Sequence, residues 1–138
     1  MTNNQPITPQ AFYTLLIAQF ALPFIASCID TFSNQPELSL LDKTLNPSPQ
    51  DWEITIVLVF GLGLLMVTIG LFLRKEWARK AYIYLFFPTF LIYFLPYMHW
   101  IYSSSYAAIF NDLSFVCSGI LLTILTIPSL YQPLFEKK

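Results

Sequence analysis

Charged side chains are scarce in this sequence of 138 residues, where they make up 11% of the chain, against about 25% in a typical soluble domain. A soluble fold of this size must cover its surface with polar groups, and too few are present to do so. A hydrophobic content of 56% excludes intrinsic disorder. Seven basic residues, balanced by eight acidic ones, exclude a nucleic-acid partner. The composition therefore predicts an all-α integral membrane protein.

The residues that usually carry chemistry are also few. His99 is the single histidine, and Cys28 and Cys117 form neither a CxxC motif nor a Cys/His cluster. We therefore expect no metal site and two free thiols that behave as small hydrophobic groups. No nucleotide-binding loop or nucleophile elbow is present. No catalytic residue and no cofactor is predicted, and a non-enzymatic protein is the favoured interpretation.

The sequence instead contains four long charge-free runs. An α-helix rises 1.5 Å per residue, so roughly 20 apolar residues cross a hydrocarbon core of about 30 Å. The runs cover residues 11–29, 54–73, 81–100 and 113–135. They are continuously apolar, whereas the strands of a membrane barrel alternate. The sequence predicts a single domain, residues 1–138, that forms a four-helix transmembrane bundle with spans at about 11–29, 54–73, 81–100 and 113–131.

The basic residues indicate the orientation of this bundle, because Lys and Arg in short loops stay on the cytoplasmic side. Four of the seven lie in the link 74–80 and two end the chain, while Lys43 stands apart in the loop 30–53. Four crossings then place both the N- and the C-terminus in the cytoplasm and the loop 30–53 outside. We expect the membrane to be a bacterial inner (cytoplasmic) membrane.

Gln19 is the only side-chain amide deep inside a span. Helical spacing puts Pro23, Ala26 and Asp30 on the same face, and Pro23 removes the usual donor to the Gln19 carbonyl. An unpaired amide in hydrocarbon is costly, so Gln19 is predicted to point into the bundle. Equal depth suggests Thr89, Thr123 or a backbone exposed beside Gly63 as its partners. Such a residue is more often an interhelical hydrogen bond than a ligand site.

Small residues on two spans predict close helix packing. Gly63 and Gly70 share a face of the second span, and Ser114 and Ser118 form a small-xxx-small pattern at the start of the fourth. Either Asn111 or Asp112 is expected to cap that fourth helix. These small-residue faces suit a protein that packs against membrane lipid or other membrane protein subunits.

An alternative interpretation is a pocket for a hydrophobic small molecule. The third span is rich in aromatic residues and carries Pro88 and Pro96, so it could line a cavity. Such a pocket would need an enclosed volume of at least about 300 Å³. Its candidate ligand-binding residues are Gln19, Asp30, Tyr93, Tyr97, His99 and Asp112. Three of them, Asp30, His99 and Asp112, end spans on the outer side and are a candidate Asp/His cluster.

The outline of the chain resembles the EXPERA family, the sterol isomerase and sigma-2-receptor-like group. Asp30 closes the first span as an acid does in that family, and the segment Lys75-Glu76-Trp77-Ala78-Arg79 before the third span is similar. The resemblance implies four helices, cytosolic termini and a sterol-like ligand. This chain departs from the family because its second span holds no acidic residue, so the isomerase chemistry has no evident proton donor.

Overall fold

The computed structural model describes residues 7–32, 40, 50–95 and 103–135. Within these ranges the chain is all-helical and has no strand. In order, the elements are α1 (Pro9–Phe32), α2 (Asp51–Phe72), α3 (Glu76–Thr89), a 3-10 helix (Phe90–Phe94), α4 (Ser105–Thr126) and α5 (Pro128–Phe135). Three of the described helices, α1, α2 and α4, are long and apolar enough to cross a membrane.

The α2 helix begins with a capping box. The Gln50 side chain accepts from the backbone of Glu53, and the Glu53 carboxylate accepts from the Gln50 backbone N–H at 3.1 Å. Two of the four free N–H donors at the start of the helix are satisfied in this way. The first two predicted spans coincide with α1 and α2. Each of these helices begins two or three residues before its apolar run.

The third predicted span, 81–100, is not one continuous α-helix. The α3 helix ends at Thr89, directly after Pro88, and the chain tightens into the 3-10 helix. Leu95 is then extended, with ψ 129°, the conformation that the following proline favours. The 14 residues of α3 cover only about 21 Å. The two prolines therefore end regular helix in a run whose hydropathy alone predicted a full span.

The helix in the region of the fourth predicted span, 113–131, begins eight residues earlier than that span. The α4 helix begins at Ser105 and ends at Thr126, where Ile127 is extended before Pro128. Ser104 is the N-cap, because its Oγ accepts from the backbone N–H of Ala107 at 3.3 Å. Asn111 and Asp112, predicted as caps, lie in the second turn of the helix instead.

The hydrophobic core lies toward one end of the helices, which we call the Arg79 end; the opposite end, where α1 finishes, is the Asp30 end. The core residues come from all five α-helices and are Phe12, Leu16, Val67, Leu71, Ala78, Tyr82, Leu121, Ile124, Leu125 and Leu134. The most extensive interhelical packing is between α1 and α4, and α2 packs mainly on α3.

The turn between α2 and α3 is tight. The N–H groups of Arg74 and Lys75 donate to the carbonyls of Leu71 and Gly70 at 3.0 and 2.9 Å, which is the Schellman arrangement. Arg74 adopts φ 51° at the position where glycine is usual. A Cβ on Gly70 would lie 2.5 Å from the Ala78 Cβ, so glycine is required for α3 to approach α2 this closely.

Candidate functional site

A buried polar cluster joins α1, α3 and α4 around Gln19. The Gln19 side chain is 8% exposed, and its Oε1 accepts from the Tyr82 hydroxyl at 2.9 Å. The Ser118 hydroxyl lies 3.4 Å from the same oxygen but is closer, at 3.0 Å, to the carbonyl of Ser114. The prediction that Gln19 points into the bundle is confirmed.

The backbone of Gln19 takes part in the same cluster. Pro23 cannot donate to the Gln19 carbonyl, and the Ser114 hydroxyl donates to it at 2.8 Å. Ser114 is itself buried. A carbonyl that a proline releases inside a span is thus satisfied by a serine of another helix, as backbone groups in an apolar environment require.

The partners predicted for the Gln19 side chain were wrong. The hydroxyls of Thr89 and Thr123 donate to the carbonyls of Leu85 and Gly119, four residues earlier in their own helices, at 2.7 and 3.0 Å. Threonine inside a helix commonly satisfies itself in this way. The prediction considered only residues at the same depth as Gln19. It overlooked Tyr82, which lies closer to the Arg79 end of α3 and whose long side chain still reaches Gln19.

A half-open pocket of about 160 Å³, not the enclosed cavity that was expected, lies beside this cluster, between α1, α2, the α3 and 3-10 segment, and α4. It is smaller than the expected 300 Å³ and similar in size to an apolar cavity that binds benzene. Gln19 and Tyr93 line it, and Asp30 does not. Tyr97 lies outside the described residues. Within the described chain, the Gln19 Nε2 makes no hydrogen bond and is not a fully buried atom, which leaves it able to donate to a bound molecule.

Asp30 connects two helix ends. Its Oδ1 accepts from both the backbone N–H and the hydroxyl of Ser104, at 2.9 and 2.6 Å. The carboxylate thus holds the end of α1 against the N-cap of α4. Asp112 lies eight residues beyond Ser104, about 12 Å further along the helix, so the two acids are not brought together. His99 lies outside the described residues, and the described residues contain no group of three metal-ligating side chains.

Asp112 is an exposed residue inside α4, a helix that is long and apolar enough to cross a membrane. The midpoint of α4 falls between Phe115 and Val116, about 5 Å from Asp112 along the axis. Among the described residues, no hydrogen bond or ion pair reaches its carboxylate. Sequence reasoning named Asp112 as a cap or a ligand-binding residue at the boundary of the span, because the charge-free run begins immediately after it; the early start of α4 places it inside the helix instead.

The small residues predicted to pack helices have different surroundings. Gly70 provides the close approach of α3 described above. Gly63 faces open space, because no atom lies within 4 Å of the point that a Cβ would occupy there, and neighbouring Met66 is exposed. Packing at Gly63 within this chain is therefore not observed, and its role in packing against another molecule stays a prediction.

Arg79 is a buried charge that sequence reasoning did not single out. The residue is 9% exposed, and its Nη1 donates to the Leu125 carbonyl near the end of α4 at 2.8 Å. Its Nε donates to the Glu76 carboxylate at 2.9 Å, and the guanidinium lies 3.9 Å from the centre of the Tyr131 ring in α5. The hydrogen bond to Arg79 lowers the pKa of Glu76, and the same bond raises the pKa of Arg79.

One feature of the sequence could have indicated this contact. Pro128 predicts the end of the preceding helix, whose last carbonyls then need donors from elsewhere. A cation is also favourable at a helix C-terminus. The sequence alone does not show which of the basic residues supplies that donor.

No protein-family model, curated protein or solved structure matches this chain.

Proposed function

We propose that this protein is a non-enzymatic, multi-pass membrane subunit that acts by packing against other membrane protein helices and lipid. The observation that supports the proposal is the outward face of α2. It exposes a set of large apolar side chains, Leu58, Val59, Leu62, Leu65, Met66 and Ile69. Beside them, a Cβ added to Gly61 or Gly63 would meet no atom of another helix within 4 Å. A glycine on an exposed face of a spanning helix lets another helix approach closely.

The topology that goes with this role has four crossings, with residues 81–100 as the third. We propose that the Arg79 end is cytoplasmic, together with both termini, and that the Asp30 end faces outward across a bacterial inner membrane. The four basic residues of the link 74–80 support this orientation.

Reporter fusions test the topology. A reporter active only in the cytoplasm should work when fused after Lys138 and should fail when inserted near Asn46. Neutralising Arg74, Lys75, Arg79 and Lys80 together should mix the two orientations. Full activity of the reporter at Asn46 would overturn the topology.

Association through α2 is tested by cross-linking in membranes, followed by sizing of the protein in mild detergent. Gly63→Leu should fold normally, because no atom stands near that position, and it should reduce the cross-linked complex several-fold. Ser27→Leu is the control, since Ser27 is also exposed but lies on α1, away from both the α2 face and α4. A strict monomer with no associated protein, or equal effects of both variants, would contradict the proposal.

A hydrophobic-ligand pocket, the second candidate, is favoured by one specific observation. The cavity beside Gln19 holds a side-chain amide whose Nε2 has no acceptor among the described residues. A small lipophilic molecule with one carbonyl oxygen would fill the apolar space and accept from that amide. The EXPERA-like outline agrees with a hydrophobic ligand but adds no residue to this site.

Two isosteric probes separate this pocket from general partitioning into lipid. 4-Fluoroacetophenone and 4-fluoro-α-methylstyrene differ by an oxygen in place of a CH₂ group, and fluorine NMR follows both in lipid nanodiscs. The wild-type protein should bind the ketone about tenfold more tightly, and Gln19→Leu should remove that preference. Gln132→Leu, at an exposed residue of α5, should retain it. Equal binding of the two probes by the wild type would exclude the pocket.

A further inference from the structure

The outward face of α4 carries one carboxylate within an apolar stripe. The residues Ile109, Asp112, Leu113, Val116 and Ile120, here called the α4 stripe, recur at the helical spacing of three to four residues. All five are exposed, and the apolar four are 44–57% exposed. No other described helix covers them. The stripe would face hydrocarbon if the protein stood alone in a bilayer.

A carboxylate at this position is costly in hydrocarbon. The pairing of Ser114 with Gln19 sets these residues at the same depth near the middle of α1 and α4. Asp112 is only two residues from Ser114. Aspartate side chains are short, so the carboxylate does not reach a headgroup layer about 10 Å away. Ionisable groups at such depths are normally paired, and they mark functional positions.

Among the residues that the structure describes, this chain offers no lysine, arginine or histidine near Asp112. Its seven basic residues lie in the loop 30–53, in the link 74–80 and at the last two positions. None of them falls inside a charge-free run or near the middle of α4. A second copy of the chain would bring the same set of side chains, and a symmetric α4 contact would place two carboxylates together.

We propose that the α4 stripe binds a transmembrane helix of another protein that places a lysine or arginine at the depth of Asp112. The proposal rests on the packing function above and adds the chemistry of the partner. The apolar members of the stripe contact the body of the partner helix, and the carboxylate pairs with its cation. The ion pair satisfies both charges in a medium where neither is stable alone.

The test uses the full-length protein in lipid vesicles and synthetic spanning helices as probes. Each peptide has about 21 Leu and Ala residues between interfacial Trp residues. One carries a Lys at its centre, one has Leu there, and one carries the Lys eight residues from the centre. Energy transfer between dyes on the protein and the peptide measures association.

The central-Lys peptide should associate about tenfold more tightly than the Leu peptide, as interhelical polar contacts in bilayers allow. Asp112→Asn should bring the two peptides within about twofold of each other. Asp51→Asn, which neutralises an exposed acid at the start of α2, should leave the preference intact. Equal binding of the central-Lys and Leu peptides by the wild type would overturn the proposal, as would equal binding of the displaced-Lys peptide.

Two further outcomes separate this proposal from its alternatives. If two labelled wild-type copies associate and Asp112→Asn abolishes that association, the occupant is a second copy and the proposal is wrong. If the purified complex is unchanged in the Asp112→Asn variant, the result supports the packing function and contradicts the proposal that the α4 stripe binds the partner. If the Lys peptide binds as expected but the protein purifies with no associated subunit, the stripe stands and the packing function fails.

Discussion

Arg79 should be the most sensitive charged position for stability, although it lies in a short link rich in basic residues. Its guanidinium joins three helices at once, through the Leu125 carbonyl, the Glu76 carboxylate and the Tyr131 ring. Replacing it with methionine keeps a long side chain but removes every one of these polar contacts. We therefore expect Arg79→Met to destabilise the Arg79 end and to release α5.

The magnitude follows from the three contacts. A charge-assisted hydrogen bond to a carbonyl is worth about 1.5–3 kcal/mol, and a cation over a tyrosine ring about 0.5–2 kcal/mol. The Glu76 side chain is half exposed, so its ion pair adds about 0–1 kcal/mol. The loss expected for Arg79→Met is about 3 kcal/mol. Arg79→Lys should lose about half of that, because an ammonium group lacks the planar face and the separated donor nitrogens of a guanidinium.

Unfolding by SDS in dodecyl maltoside micelles, followed by circular dichroism, measures the change in free energy. Lys80→Met is the matched control, because it removes one basic residue from the same link but at an exposed position. Hydrogen exchange over residues 128–135 should rise in Arg79→Met and not in the control. A loss for Arg79→Met within about 0.5 kcal/mol of the loss for Lys80→Met would refute this account of the contact.

Three other predictions concern separate contacts. Gln19→Leu and Tyr82→Phe should each lower the free energy of unfolding by about 1–2 kcal/mol. The double variant should lose clearly less than the sum of the two, because both hydrogen-bonding partners are then replaced by apolar groups together. Strictly additive losses in the same SDS assay would contradict the hydrogen bond. Gly70→Ala should destabilise the α2–α3 hairpin by about 1–3 kcal/mol, since the new Cβ overlaps α3, and an unchanged unfolding midpoint would show that the turn relaxes freely. Because the pKa of Glu76 is lowered, its contribution to the free energy of unfolding is complete above the usual pKa of 4.5 and is lost as the pH falls below that value. A Glu76→Gln variant should therefore show a flatter dependence of stability on pH between pH 6 and pH 3. Identical slopes for variant and wild type would contradict the role of the Arg79 pair.

The parts of the fold that could be predicted from the sequence are those set by hydropathy alone. The α1 and α2 helices follow continuous apolar runs, so their positions were predicted within a few residues. The start of α4 depends on the cap at Ser104, a local hydrogen bond that an average over apolar residues does not register. Proline was recognised as a source of kinks, but whether helix resumes after Pro88 depends on tertiary contacts.

The polar cluster could be predicted in part. The inward orientation of Gln19 and the loss of the usual helical donor to its carbonyl can both be predicted from the sequence of α1 alone. In the structure both groups form hydrogen bonds to other helices. The identity of the donors, Tyr82 and Ser114, depends on how far neighbouring helices are shifted along their axes. That shift is set by packing between segments far apart in the sequence, so counting residues from the span ends could not supply it.

The bond between Asp30 and Ser104 has a consequence for the order in which the protein assembles. It closes a separation of 74 residues, and the helices that it joins, α1 and α4, share the most extensive packing. During synthesis α1 enters the membrane long before α4 exists, so the Gln19 carbonyl, whose donor is Ser114, must wait unpaired or be held by the insertion machinery. The Gln19 side chain can pair earlier, because its donor Tyr82 lies on α3. A ribosome stalled before Ser104 would therefore present a completed α2–α3 hairpin beside a first helix that lacks its main packing partner, and α4 would complete the bundle in one late step.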